Sequence, residues 1–321
     1  MRDLDERGVG GRVSWVYGEY VASLVQEMDA EGRKRVHVTY AHGRAEERFD
    51  IVVAADGLGS KIRGMMFGRS PKADLQRSGV FAAYFTIRED LLNGSKVAKW
   101  YNTTGGRVVF LRPDPHPGGR TRANLVNVVT DEKLMERFDE AMDGGNEEYM
   151  ALLEEQFSDA GWLAKEVLQG MRASDDFYAS EAAQVRAEQL YEGHVVLLGD
   201  AGYGVMGYGT SNAIIAAYVL AGELMQQYGQ RNDDSSMGES IEAALKQYQD
   251  LILPWARSTQ DAVPMSLARY LNPQTQSGID IRNWIMRFVR WTGLDTVAMR
   301  LSSLPAFSGK EFPPREYNWK E

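Results

Sequence analysis

The sequence of 321 residues contains no cysteine, which excludes disulfide bonds, thiolate nucleophiles and thiolate metal sites. Histidine is nearly as scarce, and its positions lack the spacing of metal ligands, so we expect no metal site. The four histidines are His37, His42, His116 and His194. No run of about 20 apolar residues is present, so we expect no transmembrane segment. The charged start, Met1 to Arg7, lacks the apolar core of a signal peptide, which favours a cytoplasmic protein.

Positive charge is also in deficit. The chain has 45 Asp and Glu against 36 Lys and Arg, which gives a net charge of −9. A nucleic-acid backbone needs a basic face, so this balance argues against nucleic acid as a partner. Hydrophobic residues make up 44%, which is typical of a globular protein with a buried core. These numbers leave a small molecule as the expected partner and the oligomeric state open.

The apolar pattern changes several times along the chain. Tyr20–Met28 carries a helical stripe, and the continuous apolar run Phe49–Ala55 is typical of a strand buried on both faces of a parallel sheet. From about Ser78 to Val129, strands bounded by Gly, Pro and Asn predict an antiparallel sheet. Residues 132–170 have a helical pattern, and His194–Leu198 is again a buried strand. The chain therefore leaves a first sheet and later returns to it.

The simplest architecture is an α/β fold of mixed α+β character, with a β-sheet domain inserted into an α/β domain. We assign residues 1–70 and 186–230 to the discontinuous α/β domain and 71–185 to the inserted sheet domain. Residues 231–321 form a helical C-terminal region, with a polar loop expected at 230–238.

Each of the two apolar strands delivers an aspartate to its carboxyl end, where open α/β sheets bind ligands. Asp56 and Gly57 follow the first strand, and Arg63 beyond them can neutralise a phosphate or hold the loop. Gly199 and Asp200 follow the second strand. The alternative at either place is an ordinary turn.

Glycines and hydroxyl side chains follow the second aspartate and precede a helix expected from about Thr210 to Gln227. Free backbone N–H groups at a helix N-terminus favour an anion such as phosphate. The alternative is a glycine-rich loop that only caps the helix. The residues in question are Ala201, Gly207, Gly209, Thr210 and Ser211.

These two segments, in this order, resemble the second and third cofactor motifs of the class A flavoprotein monooxygenases, the group of aromatic hydroxylases and tetracycline-modifying oxygenases. The resemblance is strongest to a subgroup found in secondary metabolism. It implies a truncated FAD-binding, Rossmann-like domain with an inserted antiparallel or mixed substrate sheet. The implied FAD-binding residues are Asp56, Gly57, Arg63, Gly199, Asp200, Ala201, Gly207, Gly209, Thr210 and Ser211.

The resemblance also implies the reaction. Such enzymes use FAD, NAD(P)H and O2 to hydroxylate or epoxidise a small hydrophobic, aromatic or polyketide-like metabolite, and the flavin performs the chemistry. No universal catalytic residue exists to transfer, so the catalytic residues stay unassigned. Tyr84, Trp100 and Tyr101 lie on strands expected to face the flavin and are candidates for the substrate pocket, although packing within the sheet is the alternative.

The sequence departs from this family in two places. Members open with a strand, a Gly-x-Gly-x-x-Gly turn and a helix, and this chain is expected to lack that N-terminal segment. The third motif is shorter between Tyr203 and Gly207 and lacks a proline. Both departures predict weakened FAD binding. Two alternatives to a monooxygenase therefore stay open: a flavin-free metabolite-binding or cyclase-type protein, and an inactive remnant.

An apolar face with nearby arginines follows Arg282, in a segment that contains Trp284, Phe288 and Trp291. This pattern allows weak peripheral contact with a membrane surface. The alternative is a helix packed on the rest of the protein.

Overall fold

The fold is described from a computed structural model, which describes residues 13–116, 118–229, 237–262, 264–296, 312 and 315–319. The charged start of the chain and positions 230–236 of the expected polar loop lie outside these residues. Within them, the strands form one five-stranded sheet and two three-stranded sheets.

The three-stranded sheets have the orders β1-β2-β3 and β10-β11-β4, and the five-stranded sheet has the order β6-β7-β8-β5-β9. The strands are β1 Val21–Met28, β2 Lys34–Tyr40, β3 Glu47–Phe49, β4 Val52–Ala54, β5 Leu75–Ile87, β6 Lys99–Thr103, β7 Arg107–Pro113, β8 Thr121–Val128, β9 Tyr178–Val185, β10 Tyr191–Glu192 and β11 Val195–Leu197.

Helices cover one face of the five-stranded sheet, pack beside the parallel strands and form most of the C-terminal part. They are α1 Lys61–Phe67, α2 Glu132–Gly144, α3 Asn146–Phe157, α4 Ala164–Arg172, α5 Asp200–Tyr203, α6 Gly209–Gly229, α7 Met237–Ala262, α8 Leu267–Leu271 and α9 Gln276–Thr292. None of the helices in these ranges is both long and apolar enough to cross a bilayer.

The largest core lies between the five-stranded sheet and α2–α4. Alternate side chains of β5, beginning at Phe81, point into this core, as the two-residue period of a strand requires. The rings of Phe81 and Phe138 stack with their centroids 4.6 Å apart. The Gly144–Gly145 break ends α2, and Asn146 begins α3, so the two helices fold onto the same sheet face. These two helices consequently do not cover the other face of the sheet.

A second core joins the small parallel sheet to α6 and α7. β4 and β11 are parallel neighbours, with Val52 opposite Val195 and Ala54 opposite Leu197. Behind them, Tyr203 and Tyr248 are buried among the aliphatic side chains of α6 and α7. Long apolar helices thus fix the carboxyl ends of both strands, which is where the predicted motifs begin.

The helical stripe predicted for Tyr20–Met28 is wrong, because this segment forms the strand β1 and pairs with β2. A short apolar run cannot be assigned from its period alone, and here pairing with a neighbour decides. The carboxylate of Glu19 accepts hydrogen bonds from the backbone N–H groups of Tyr20, His42 and Arg44, which fixes the open end of this hairpin.

The apolar run at 49–55 is not one strand buried on both faces. It divides between β3, which pairs with β2, and β4, which pairs with β11. Asp50 lies at the division and forms an ion pair with Arg35, so a charged side chain interrupts the ladder. Val53 is exposed.

The remaining large features follow the sequence. The antiparallel strands of the inserted sheet, the helices of residues 132–170 and the helical C-terminal region are all present in the described residues, and the mixed α/β fold class is confirmed. Pro254 lies inside α7 without ending it. The exact domain limits remain a prediction.

Candidate functional site

Two turns leave the parallel sheet at the same edge. β4 ends at Ala54 and β11 ends at Leu197, and the N–H of Leu198 donates to the carbonyl of Ala54 at 2.8 Å. Because the two strands are parallel, the segments that follow them emerge side by side. Asp56 and Asp200 are therefore delivered to one edge by adjacent strands.

A cleft of about 470 Å³ opens at this edge, between the two turns and the start of α6. It brings together five of the residues predicted from the motifs: Gly57, Gly199, Asp200, Gly209 and Thr210. Its apolar wall is formed by Ala55, Leu198, Ala213, Ile214 and Ala217. A mixed lining of glycine, one carboxylate and small apolar side chains suits a flat cofactor with a hydroxylated chain.

Gly199 makes the turn possible. Its φ of +63° and ψ of −137° lie in a region that is essentially reserved for glycine. A side chain there would also approach the methyl group of Ala213. The turn aims Asp200 into the cleft at the first position of α5. The glycine of the Gly-Asp pair is thus explained by backbone geometry.

Two buried tyrosines hold this turn from behind. The N–H of Gly199 donates to the hydroxyl oxygen of Tyr203 at 2.8 Å, and the Tyr248 hydroxyl donates to the carbonyl of Leu197 at 2.9 Å. The two hydroxyls are 3.0 Å apart. Since the single proton of Tyr248 is used on Leu197, Tyr203 must donate to Tyr248. Burial raises the pKa of Tyr203 to about 12, so both protons stay in place at neutral pH.

No local sequence pattern indicates this arrangement. Tyr203 is inside the recognised motif, but Tyr248 lies 45 residues further on, in α7. A buried polar position on an otherwise apolar helical stripe is the only signal that could have found it.

The start of α6 presents backbone N–H donors to the cleft at Gly209 and Thr210. Gly207 has a φ of +85°, and a Cβ added to Gly207 would meet nothing within 4 Å. Thr210 and Ser211 are exposed at the first turn. The first N–H groups of a helix have no partner within it, and they carry a partial positive charge. This terminus fits an anionic group.

Buried Asn212 fixes α6 in place. Its amide donates to the Thr259 hydroxyl at 2.9 Å and accepts from the indole N–H of Trp255 at 3.2 Å. Both partners belong to α7. The orientation of the α6 terminus is consequently set by the neighbouring helix.

Asp56 organises the first turn. One carboxylate oxygen accepts from the Ser60 hydroxyl at 2.6 Å, and the other accepts from the N–H of Ile62 at 3.3 Å. Ser60 in turn caps α1 by accepting from the N–H of Arg63. Gly57, with a φ of +83° and open space around its Cβ position, presents backbone to the cleft. Asp56 itself does not line the cleft.

Arg63 is fully buried and does not reach the cleft. Its guanidinium donates to the carbonyl of Ala201 at 2.6 Å and to the carbonyl of Leu58 at 2.9 Å, and it lies 3.3 Å from the Asp74 carboxylate. Burial lowers the pKa of Arg63. Of the two roles expected for Arg63, the geometry matches holding the loop. Through the buried Ala201, it links the two turns across 138 residues.

The carboxylate of Asp200 is the free acceptor of the cleft. It is exposed, and within the described ranges no donor pairs with it. Packed atoms around it nevertheless raise the pKa of Asp200 through partial loss of solvation. An unpaired carboxylate of this kind can accept hydrogen bonds from the hydroxyl groups of a ligand.

The three aromatic candidates of the inserted sheet do not share a face. Trp100 and Tyr84 lie on the face away from the helices, and both are exposed. Tyr101 lies on the opposite face, against the helical core, with its ring 5.3 Å from that of Trp162. The prediction that Tyr101 joins the other two is wrong, because adjacent residues of a strand point to opposite sides.

Curated relatives and solved structures give these features a context. Monooxygenase CTB7 of Cercospora beticola is 28% identical over 277 residues, which are 84% of this chain and 62% of the relative. FAD-dependent monooxygenase asL6 of Sarocladium schorii is 28% identical over 316 residues, 95% of this chain and 68% of the relative. No family model matches the chain.

The chain is similar in sequence to relatives named as FAD-dependent or flavin-dependent monooxygenases. The crystal structure of the tetracycline destructase Tet(51) has the same fold, with a TM-score of 0.64, 24% identity, and coverage of 85% of this chain and 67% of that one. This chain spans 62% of the length of CTB7, which is less than two thirds. The resemblance read from the two motifs is thereby confirmed.

Proposed function

We propose that the chain forms the flavin cleft and the substrate sheet of an FAD-dependent monooxygenase. The observation that carries this proposal is the delivery of the two motif turns to one cleft by the adjacent parallel strands β4 and β11. The proposed substrate is a small hydrophobic, aromatic or polyketide-like metabolite. The proposed reductant is NAD(P)H, and the oxidant is O2. We place the reaction in the cytosol and in secondary metabolism.

The residues of the cleft fit FAD. Asp200 offers a free carboxylate to the ribityl hydroxyls, and the N-terminus of α6 at Gly209 and Thr210 offers backbone donors to the pyrophosphate. Gly57 and Gly199 allow the cofactor to approach the backbone closely. When bound, FAD supplies the redox chemistry that activates O2 and transfers one oxygen atom to the substrate.

The protein contributes by holding the groups that line the cleft in fixed positions. Tyr203, Tyr248 and Arg63 touch no part of the cleft, but they hold the two turns that line it. The apolar wall of Ala213, Ile214 and Ala217 would shield one side of a bound ring from water. Residues that fix geometry in this way raise the rate by orienting the reactants.

The experiment is FAD binding to the purified full-length chain, followed by its visible flavin absorbance. We expect the wild-type chain to retain FAD after gel filtration and Asp200→Asn to lose affinity about tenfold, as expected when a hydrogen bond to a charged group is lost. Asp175→Asn is the matched control, because Asp175 is exposed and does not line the cleft. A wild-type chain that stays colourless with excess FAD would contradict the proposal.

The same variant has a second readout that does not depend on flavin. The pKa of Asp200 is raised in the folded state, so ionisation of its carboxylate lowers the free energy of unfolding. This loss of stability sets in as the pH rises above the unfolded pKa near 3.8 and is present at neutral pH. Asp200→Asn is therefore expected to raise the Tm of the apo protein at pH 7. A lower Tm for the variant would show that Asp200 has a structural role instead.

A flavin-free metabolite-binding protein is the second candidate. The exposed aromatic face of the five-stranded sheet favours it. This face is formed without any residue of the cleft, so a ligand could bind there in the absence of flavin. It predicts a folded, colourless chain that still binds an aromatic ligand.

We also propose that α9 makes peripheral contact with an anionic membrane surface. Only Ile279 of this helix is buried, and the ring of Trp291 is 83% exposed. The rings of Trp284 and Phe288 stack with centroids 5.7 Å apart on the exposed side. An apolar stripe beside arginines is the pattern of an interfacial helix. The exposed stripe consists of Ile281, Trp284, Ile285, Phe288 and Trp291.

Cosedimentation with vesicles tests this contact. The chain is expected to pellet with phosphatidylserine-containing vesicles and less with pure phosphatidylcholine, and Trp284→Ser is expected to reduce the pelleted fraction. Trp15→Ser, which changes an exposed tryptophan elsewhere, serves as the control. Equal loss in both variants, or no pelleting of the wild type, would refute membrane contact.

A further inference from the structure

The described C-terminal residues, 312 and 315–319, contact α6 and α7, and we call them the tail. The ring of Tyr317 is buried against Gly222, so closely that a Cβ at Gly222 would overlap it. Beside it, Glu223 is only 1% exposed, although carboxylates are seldom buried without partners. The partners described for this carboxylate both belong to the tail: the Arg315 guanidinium at 2.6 Å and the Tyr317 hydroxyl, which donates at 2.7 Å. Gly222 and Glu223 therefore form a socket for the tail.

From this socket the tail follows α6 back toward the cleft. The ring of Tyr218 lies 5.4 Å from the ring of Tyr317 and 5.4 Å from the ring of Trp319. Tyr218 is one helical turn from Ile214, which belongs to the apolar wall of the cleft. The tail consequently reaches the turn of α6 that adjoins the cleft wall.

A second contact of the tail reaches the first turn of α6 through α7. The rings of Phe312 and Trp255 meet edge to face, with their centroids 5.5 Å apart. The indole N–H of Trp255 donates to the side chain of Asn212 at 3.2 Å, and Asn212 is buried in the first turn of α6. Edge-to-face pairs attract each other beyond the effect of buried area. Phe312 therefore favours the orientation of Trp255 that holds Asn212.

We propose that the tail is a clamp that positions the first turn of α6 at the cleft. It acts on the helix at two places, the socket of Gly222 and Glu223 and the side chain of Asn212 through Trp255. These places lie roughly 16 Å apart along the helix, so together they fix both its position and its direction.

A clamp of this kind raises the affinity of the cleft without touching the ligand. The first turn of α6 carries the backbone donors that the proposed function assigns to FAD, and the inference rests on that function for the identity of the ligand. A helix that is already held in place loses less freedom when the cofactor binds. The coupling is reciprocal, so bound FAD must favour the docked tail by the same factor.

Hydrogen–deuterium exchange of the full chain, with and without saturating FAD, tests the clamp. Without flavin, Phe312→Ala is expected to raise deuterium uptake in residues 209–216, because Trp255 loses the ring that supports it. In the wild type, FAD is expected to lower uptake in the tail. Phe312→Ala is also expected to weaken FAD binding about three- to tenfold, which corresponds to the loss of one aromatic pair.

Phe177→Ala is the matched control, because it removes a half-buried ring from the core of the five-stranded sheet. This variant is expected to lower the Tm but to keep the wild-type uptake in residues 209–216 and FAD affinity within a factor of two. A contribution of Phe312 to general stability alone would make the two variants behave alike.

A second pair of variants keeps the test decisive if Phe312→Ala does not fold. Tyr317→Phe removes only the hydroxyl that donates to Glu223. Its control is Tyr270→Phe, because Tyr270 is 75% exposed and its hydroxyl has no hydrogen-bond partner in the described part of the chain. Only Tyr317→Phe is expected to raise uptake in residues 209–216 and to weaken FAD binding.

The outcomes separate the clamp from the proposed function. Unchanged uptake in both tail variants, or equal changes in the tail variants and their controls, would overturn the clamp whether or not FAD binds. Raised uptake with unchanged FAD affinity would also overturn it, since the tail would then not act on the cleft. Raised uptake in the tail variants of a chain that does not bind FAD would support the positioning of α6 by the tail and contradict the proposed function.

Discussion

Buried hydroxyl groups show how single residues set the cleft. The hydroxyls of Tyr203 and Tyr248 are both hydrogen-bonded, and they connect Gly199 to the carbonyl of Leu197. Tyr149 is equally buried in the sheet core, but its hydroxyl has no partner among the described residues. A satisfied buried hydroxyl stabilises a fold, whereas an unsatisfied one costs free energy. The two tyrosines therefore make a matched comparison.

We predict opposite effects of the same substitution at these two positions. Tyr248→Phe removes the hydroxyl that donates to the carbonyl of Leu197 and accepts the proton of Tyr203, and it is expected to lower the free energy of unfolding by about 1–3 kcal/mol. Tyr149→Phe removes an unsatisfied group and is expected to be neutral or to stabilise by up to about 1 kcal/mol. Urea denaturation measures both. Similar losses in the two variants would show that the hydrogen bonds around Tyr203 contribute little.

Single residues also show how far the sequence could be interpreted. Asp200 and Gly199 were found because a carboxylate and a glycine after a buried strand have a recognisable local chemistry. Tyr248 and Arg63 act through contacts with distant parts of the chain, and no local pattern encodes those contacts. Tyr101 and Trp100 are adjacent in one strand and therefore point to opposite sides of the sheet, and the packing of Tyr101 against Trp162 decides which of the two faces the core.

At the scale of elements, α6 connects the cleft to the end of the described chain. Its first turn lines the cleft, and near its other end Glu223 is buried between Arg315, at 2.6 Å, and the hydroxyl of Tyr317, at 2.7 Å. The ring of Tyr317 lies directly on Gly222. Glycine in a helix normally costs stability relative to alanine. Here it makes room for the ring.

Gly222→Ala is accordingly predicted to destabilise the protein. An added Cβ would overlap the ring atoms of Tyr317, and overpacking of this kind costs about 1–3 kcal/mol, whereas the gain in helix propensity is only about 1 kcal/mol. In Gly238→Ala, the added Cβ meets only His194, at an ordinary 3.8 Å, so this control in α7 is expected to be neutral or stabilising. Thermal unfolding compares them. A higher Tm for Gly222→Ala would mean that Tyr317 does not pack as described.

Elements also differed in how well they could be predicted. α2 and α3 were foreseen because glycine and asparagine mark their boundary and the apolar stripe is regular. The strand β1 was missed because its stripe fits a helix equally well until β2 is known to pair with it. The break between β3 and β4 depends on the ion pair of Asp50 with Arg35, two residues 15 apart in sequence. Local signals therefore decided the two helices, whereas contacts between segments apart in sequence decided the two strand cases.

At the scale of the molecule, the sheet β1-β2-β3 and the sheet β10-β11-β4 meet at His194. The backbone N–H of His194 donates to the side-chain oxygen of Gln26 at 2.8 Å, and the side-chain amide of Gln26 donates to the carbonyl of Glu192 at 2.9 Å. The imidazole is buried, and neither ring nitrogen has a hydrogen-bond partner in the described residues. Lys34 and Glu242 form an ion pair beside it. The contact between the two sheets is thus built around an uncharged histidine.

Stability should therefore fall in mild acid. Burial lowers the pKa of His194 in the folded state, so the unfolded chain takes up the proton first. The stability associated with the neutral ring is present above the unfolded pKa of about 6.5 and is lost as the pH falls toward the folded pKa. We expect the Tm to drop between pH 7 and pH 5, and His194→Gln to flatten that drop. His116→Gln, at an exposed position, should leave the pH dependence unchanged, and a drop that persists in His194→Gln would assign it to other groups.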